Sequence, residues 1–385
     1  MNIVLEATSA YTGLRAIKRY TKSLIHAFFE KGYEDNFIIF TNFFRGKCNE
    51  IDSIIKKKDN FIRKHMPIPL RFKNLYWEYI GLININPSFT KVDIFHALGD
   101  NHPTLKLHNY IITLHGIAYF SRPDLLDPDY VKEKQKNLIK ACKIANYFIA
   151  VSEHTKREFL KVFSSIKSNS IRVIPLGVGE EFHPIEKNRV KKILKEKFKI
   201  ESPYILFVGG LEPHKNIHGI LEAFYIIKDE FKNMALILVG KTSRKNNYLE
   251  NLLNKYKIQN RIKIIPFLPQ EGRDLPVLYN GAKCFVFPSF TEGWASPPLE
   301  AMACGTPVVT SNVSSLPETV NDAAIKVDPY NPEEIAKAVR KILNDPDFSK
   351  NLTKKGLTHS SKYTWKRCAE ETYSFYKDII ENRIT

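Results

Sequence analysis

Glu292 and Glu300 stand with seven residues between them in the stretch TEGWASPPLE. Two carboxylates at one edge of a fold can accept hydrogen bonds from vicinal hydroxyls, which suits a ribose or a hexose. Further upstream, VGGLEPHKN places Gly209 and Gly210 ahead of Lys215. A lysine beside a helix amino terminus is a compact diphosphate site, combining a point charge with backbone donors. His115, in TLHGIAYF, follows an apolar run and titrates near neutrality when unperturbed. Each residue also has an ordinary reading. Glu292 could be a solvated loop charge and Glu300 a first-turn residue favoured by the helix macrodipole. Lys215 could be a solvated lysine after a turn, and His115 a structural histidine.

The elements around these residues decide between the two readings. Residues 284–287 are apolar and read as a short buried strand, ended by Pro288, which supplies no ladder donor. The loop 289–296 carries Thr291, Glu292, Gly293, Trp294, Ala295 and Ser296. Pro297 and Pro298 then open a helix, where missing amide protons cost nothing, and Gly305 closes it as a left-handed cap. A further strand at 307–310 completes a parallel crossover unit. Its loop lies at the carboxyl end of the strand, the edge at which open α/β sheets bind ligands. The strand 204–208 runs into the Lys215 loop in the same way. There Gly209 and Gly210 permit a tight turn, and Asn216 caps the next helix. Because both loops follow strands of one domain, the diphosphate reading of Lys215 is favoured over the solvated one.

Taken in order, the chain shows two runs of strand–helix alternation. The first has strands at 2–5 (reaching the surface at Glu6), 37–40, 92–98, 110–114, 147–151 and 171–175, with helices at 14–29, 129–142 and 155–163. After a lysine-rich stretch, 187–199, strands recur at 204–208, 236–239, 262–265, 284–287 and 308–310. Helices at 217–231, 248–256, 275–279, 298–303 and 332–343 accompany them, and an amphipathic helix, 365–380, ends the chain. Such alternation predicts an α/β protein of two doubly wound, Rossmann-like domains facing a central cleft.

Length agrees, since 385 residues exceed one average domain. A hydrophobic content of 43% with 26% charged residues describes a globular chain rather than a disordered one. The five cysteines are scattered without metal-ligand spacing, which fits reduced thiols in a cytoplasmic setting. No signal peptide and no stretch long enough for a spanning helix is visible. The net charge of +17 is shared almost equally, +9 over residues 1–181 and +8 over the rest. A nucleic-acid binder usually concentrates its charge on one element, so the excess fits anionic substrates, an anionic membrane surface or a lysine-biased genome better. Residues 54–82 mix lysine and arginine with Phe61, Phe72, Tyr76, Trp77 and Tyr79. That mixture suits peripheral contact with the inner face of a membrane, while Leu75, Tyr79 and Leu82 equally fit the packed face of an ordinary helix.

The stretch FVFPSFTEGWASPPLEAMACGTPVV resembles the E-x7-E signature of the retaining, nucleotide-sugar-dependent glycosyltransferases of family 4. Its continuation, SNVSSLPETVNDAAIKVDPYNPEEIAKAV, is most similar to mannosyltransferases of surface-polysaccharide and O-antigen assembly. The resemblance implies the GT-B arrangement, with an acceptor-side domain over 1–180, a donor-binding domain over 181–364, and the helix 365–385 packed back on the first. It implies that Glu292 contacts the donor sugar, Glu300 holds the nucleotide ribose, and Lys215 holds the diphosphate. It gives His115 a place beside the transferred sugar. Gly209, Gly210, Gly293, Trp294, Ala295 and Ser296 line the donor site on the same basis. Three departures stand out. TGLRAIKRYTKSL keeps Gly13, Arg19 and Tyr20 at altered spacing. The arginine that usually partners the lysine is replaced, leaving His214 or Arg244 to share the charge. Ala295 stands where many relatives have glycine.

The expected reaction is retaining transfer of a hexose, mannose favoured, from a nucleotide diphospho-sugar to a hydroxyl of a glycan or lipid-linked glycan. GDP-mannose is the favoured donor, with a UDP-sugar as the second choice. No cofactor, metal or nucleic-acid partner is expected. Asp127 with Asp129, and Asp345 with Asp347, have the spacing of a metal-holding Asp-x-Asp pair, but each brackets a proline beside a helix end and reads as turn chemistry. A nucleotide-sugar epimerase or phosphorylase on the same plan, or a non-catalytic glycan- or membrane-binding protein, are the alternatives.

Overall fold

The computed structural model describes residues 1–12, 15–43, 49–67, 92–100, 102–103, 107–241, 248–266, 268 and 274–384. Two compact units emerge. The first comprises Met1–Pro123, Asp127–Gly177 and Trp365–Thr385, and the second Asp124–Leu126 and Val178–Thr364.

The first unit is built on strands β1 (Asn2–Glu6), β2 (Asn36–Asn42), β3 (Phe61–Met66), β4 (Ile94–Ala97), β5 (Tyr110–Leu114), β6 (Tyr147–Ala150) and β7 (Ile171–Val173). They form one parallel sheet in the order β3-β2-β1-β4-β5-β6-β7. Every residue of β4 and β5 is buried, as expected for strands covered on both faces. Glu6 departs from expectation: it extends β1, pairs with Phe40 and Ala97, and is 0% exposed, because β1 is an interior strand flanked by β2 and β4. Strand β3 and the helix Asn49–Ile55 before it were not visible in the pattern. The reason for β3 is its position at the edge, where only Phe61 is buried and Ile62, Arg63, Lys64 and His65 face water. Charged edges of this kind deter pairing with other chains. The closing helix Trp365–Ile380 buries Cys368, Ala369, Thr372, Phe375, Tyr376 and Ile379 on one face and packs on helix Arg15–Lys31.

The second unit repeats the plan with β8 (Tyr204–Val208), β9 (Ala235–Val239), β10 (Ile262–Ile265), β11 (Cys284–Phe287), β12 (Val308–Ser311) and β13 (Ile325–Val327). Its order, β10-β9-β8-β11-β12-β13, reverses direction between β8 and β11. That topological switch point is where doubly wound sheets bind ligands, outside the carboxyl ends of the strands. Helix Ile217–Ile227 follows β8, started by Asn216, whose side chain accepts from the Gly219 amide at 3.1 Å. The lysine-rich stretch is itself a helix, Lys187–Phe198, with Val190, Leu194 and Phe198 buried four residues apart. That buried stripe seats the helix, while its lysines face water. Strand β13 and the helices Leu316–Val320 and Pro346–Ser360 were likewise missed. Asp127 and Asp345 prove to be helix N-caps: Asp127 accepts from the amides of Asp129 and Tyr130, and Asp345 from that of Phe348.

Candidate functional site

At the switch point of the second unit, the β8 loop and the β11 loop lie against each other. Lys215 ends a short turn, Pro213–Lys215, just ahead of helix Ile217–Ile227. Its ammonium lies 2.5 Å from Glu292 Oε1, with the two side chains only 17% and 12% exposed. The same carboxylate oxygen accepts from Ser289 Oγ at 2.7 Å. The Phe287 ring, at the end of β11, sits 5.4 Å from the ammonium and supplies a cation–π contact. The backbone of the two loops is tied as well, since the Phe290 amide donates to the His214 carbonyl at 2.9 Å.

A third loop, after β12, clamps Glu292 from the other side. The Ser314 hydroxyl accepts from the Glu292 amide and donates to the Glu292 carbonyl, both at 2.9 Å, and Ser315 Oγ donates to that carbonyl at 3.0 Å. Ser314 adopts φ +61°, unusual for a residue with a side chain, so this clamp is held at some conformational cost. Ser289, Ser314 and Ser315 were not singled out in the sequence. The paired serines at 314–315, three residues beyond a buried strand, were the available signal.

Burial, with Lys215 adding to it, holds the His214 pKa down to about 4 against the opposing pull of Glu292. At neutral pH it therefore brings a neutral ring, not a second positive charge. Neither Gly209 nor Gly210 has positive φ. The close approach lies one strand over. A Cβ on Gly240 would fall 1.7 Å from the Gly209 carbonyl oxygen, whereas one on Gly210 would meet nothing nearer than 3.5 Å. Gly240, after β9, is thus the glycine this turn requires, and no residue-type pattern marked it.

Helix Ser296–Ala303 begins one residue before its prolines, with Ala295 at the N-cap and Gly305 (φ +79°) just past its end. Glu300 lies inside that helix at 2% exposure, and the Tyr279 hydroxyl donates to its Oε2 at 2.9 Å. Ala295 is fully buried, and Trp294 is buried against Tyr363 with ring centroids 5.3 Å apart. Gly293 and Ser296 are half-buried. Glu292 and Lys215 are thus in contact, and Glu300 stands deeper on its own tyrosine. Gly13 and Arg244 lie outside the described residues, as do Phe72, Leu75, Tyr76, Trp77, Tyr79 and Leu82. Among the described residues of the basic patch, Lys58 donates to the Phe29 carbonyl, Arg63 pairs with Asp52 at 2.9 Å, and Lys56, Lys57 and Lys64 are exposed.

His115 belongs to the first unit, just past β5. Its Nε2–H donates to the Leu98 carbonyl at 2.8 Å, so Nδ1 is the accepting nitrogen of the neutral ring. Burial lowers its pKa, opposed by the Leu98 hydrogen bond and by Asp100. Asp100 in turn pairs with Lys134 at 2.5 Å. Among the described residues no group of three or more His, Cys, Asp or Glu is arranged to hold a metal ion, and no helix is long and apolar enough to cross a membrane.

Comparison with known proteins agrees with this architecture. Residues 188–359 match the family described as glycosyl transferases group 1. The chain is 32% identical over 273 residues to O-antigen chain mannosyltransferase B of Escherichia coli, covering 71% of each protein. Among solved structures, sucrose-phosphate synthase from Thermosynechococcus elongatus superposes with a TM-score of 0.76 at 19% identity, over 99% of this chain and 100% of that one. Anabaena HepE in complex with UDP and glucose does so with a TM-score of 0.74 at 14% identity, over 98% and 100%. Two Rossmann-like halves with these neighbours define the GT-B fold. The chain belongs to the group 1 glycosyl transferases, and it is a glycosyltransferase enzyme.

Proposed function

We propose that this glycosyltransferase moves a hexose, mannose favoured, from a nucleoside diphosphate sugar to a hydroxyl of a glycan or lipid-linked glycan, with retention at the anomeric carbon. GDP-mannose is the favoured donor, and the similarity to an O-antigen chain mannosyltransferase supports that choice. The observation that carries the reading is the Lys215–Glu292 pair at the β8/β11 switch point. A diphosphate competes with Glu292 for the Lys215 ammonium, and the carboxylate is then available to the sugar hydroxyls. Glu300 serves the ribose, with Tyr279 fixing the orientation of its carboxylate. His115 orients the sugar and the oxygens around the anomeric carbon.

In the transfer, the bond from the anomeric carbon to the diphosphate oxygen breaks and a bond to the acceptor oxygen forms. The acceptor's proton passes to the departing phosphate. Lys215 and the amides at the start of helix Ile217–Ile227 stabilise the charge that develops there, by donors already in place. The exposed Lys56, Lys57 and Lys64 offer peripheral contact with an anionic leaflet, each engaged cation adding on the order of 1 kcal/mol.

A thermal-shift panel of GDP-, UDP-, ADP- and dTDP-sugars tests the donor, run with and without EDTA. GDP-mannose should give the largest upward shift, unchanged by chelation. A larger shift from another nucleotide would replace the donor assignment, and a shift that needs Mg²⁺ or Mn²⁺ would overturn the metal-free reading.

A further inference from the structure

Beside His115, the first unit contains a run of buried polar groups that the transfer chemistry does not use. His96, on β4, has Nδ1 2.5 Å from the Tyr376 hydroxyl on the closing helix and Nε2 2.7 Å from Thr113 Oγ1 on β5. The Tyr20 hydroxyl, on helix Arg15–Lys31, lies 3.1 Å from the same Thr113 oxygen. Tyr20 then meets the His115 ring edge-on, with centroids 4.7 Å apart and planes at 78°. All four residues are at most 3% exposed.

Burial keeps the His96 ring neutral, with its pKa down to about 3, so one nitrogen donates and the other accepts. The direction of the bond to Tyr376 therefore fixes the direction of the bond to Thr113. Removing one hydroxyl obliges the remaining members to reorient. Apolar side chains of the same shape would fill this core about as well, because a hydrogen bond gives little net stability over the solvated alternative. What a fully satisfied polar run adds is a single defined geometry. Here the geometry it defines is that of the Tyr20 ring, and Tyr20 and the Leu98 carbonyl are two of the groups that hold His115.

We propose that His96, Thr113, Tyr20 and Tyr376 are positioning residues that carry the seating of the closing helix, across β4 and β5, to the ring of His115. The proposal rests on the reading of His115 as a group of the transfer reaction. It makes a helix 280 residues away from His96 in sequence part of the determinants of that ring's orientation.

Two substitutions remove a hydroxyl and little else: Thr113→Val at the middle of the run and Tyr376→Phe at its far end. The readout is the ring-nitrogen and ring-proton resonances of His115 in protein labelled with ¹⁵N-histidine, assigned by their loss in His115→Gln. Both variants should shift these resonances, and Thr113→Ser should restore them. With GDP-mannose as the probe, kcat for release of GDP should fall on the order of tenfold while KM stays put, the pattern of a misplaced group rather than lost binding. If the His115 resonances and kcat of folded Tyr376→Phe and Thr113→Val match wild type while His115→Ala is slow, the positioning run fails and the role of His115 stands. Should His115→Ala turn over GDP-mannose as fast as wild type, the role of His115 fails and the proposal falls with it.

Discussion

At the ends of β8 and β11 charge meets charge: Lys215 and Glu292 are in contact, partly open to solvent, and braced by serine hydroxyls. At the ends of β4 and β5 the polar groups are neutral and sealed: His96 is held uncharged between Thr113 and Tyr376, and His115 donates to a backbone carbonyl. Both units reverse strand order between their first and fourth strands; the charged pair sits at that reversal, β8/β11, and the neutral run one strand further along, on β4 and β5. The two places also differ in task. A diphosphate needs a cation that can exchange partners, whereas a ring that must face one way needs neighbours that cannot rearrange.

The largest expected effect breaks the charged side of this comparison. Lys215→Ala should lower kcat for GDP-mannose turnover on the order of 10²- to 10³-fold, as for loss of a preorganised donor to a developing negative charge. A loss under threefold in steady-state assays would mean that the pair is ordinary surface electrostatics. Glu300→Ala should weaken GDP binding by about 1.5–3 kcal/mol in calorimetry, the range for a hydrogen bond to a charged group. Tyr279→Phe should have a smaller effect in the same direction, since it leaves the carboxylate in place but less firmly aimed.

The charged site was legible because its chemistry is local. Glu292 and Lys215 each follow a four- or five-residue apolar strand, so period, proline and glycine punctuation placed both at a strand end. Their serine braces come from separate loops, and nothing in the residue types said which hydroxyls would converge. The neutral side was almost silent. His115 stood out only as a histidine after a strand, and its supporting groups lie on four elements, brought together by packing rather than spacing. Edge strand β3 was hidden for a related reason, because an exposed strand loses the apolar signature that marks its neighbours.

The glycines offer a further contrast, since the closest backbone approach falls at Gly240 and not at Gly210. Gly240→Ala should destabilise the protein by about 1–3 kcal/mol in denaturant titration, as overpacking against backbone does. Gly210→Ala should stay within about 0.5 kcal/mol. Equal effects would show that the turn tolerates a side chain at either place.

Acid distinguishes the sealed side. The folded-state pKa of His96 is about 3, below the ordinary value near 6.5, so between those values the unfolded chain binds the extra proton. Stability is therefore complete above about pH 6.5 and falls as pH drops toward 3, by about 1.4 kcal/mol per pH unit from this group. His214, at about 4, adds a loss of the same sign over a shorter span. Denaturation midpoints taken from pH 7 to 4 should decline less steeply in His96→Gln than in wild type. Parallel slopes would show that His96 is not the neutral centre of its network.

The most direct measurement follows GDP-mannose by ¹H and ³¹P NMR in the presence of the protein and a mannose-terminated acceptor. The account predicts release of GDP together with a new α-anomeric signal, and neither product with Lys215→Ala. Intact GDP-mannose, with UDP-, ADP- and dTDP-sugars equally untouched, or a β-linked product, would contradict it.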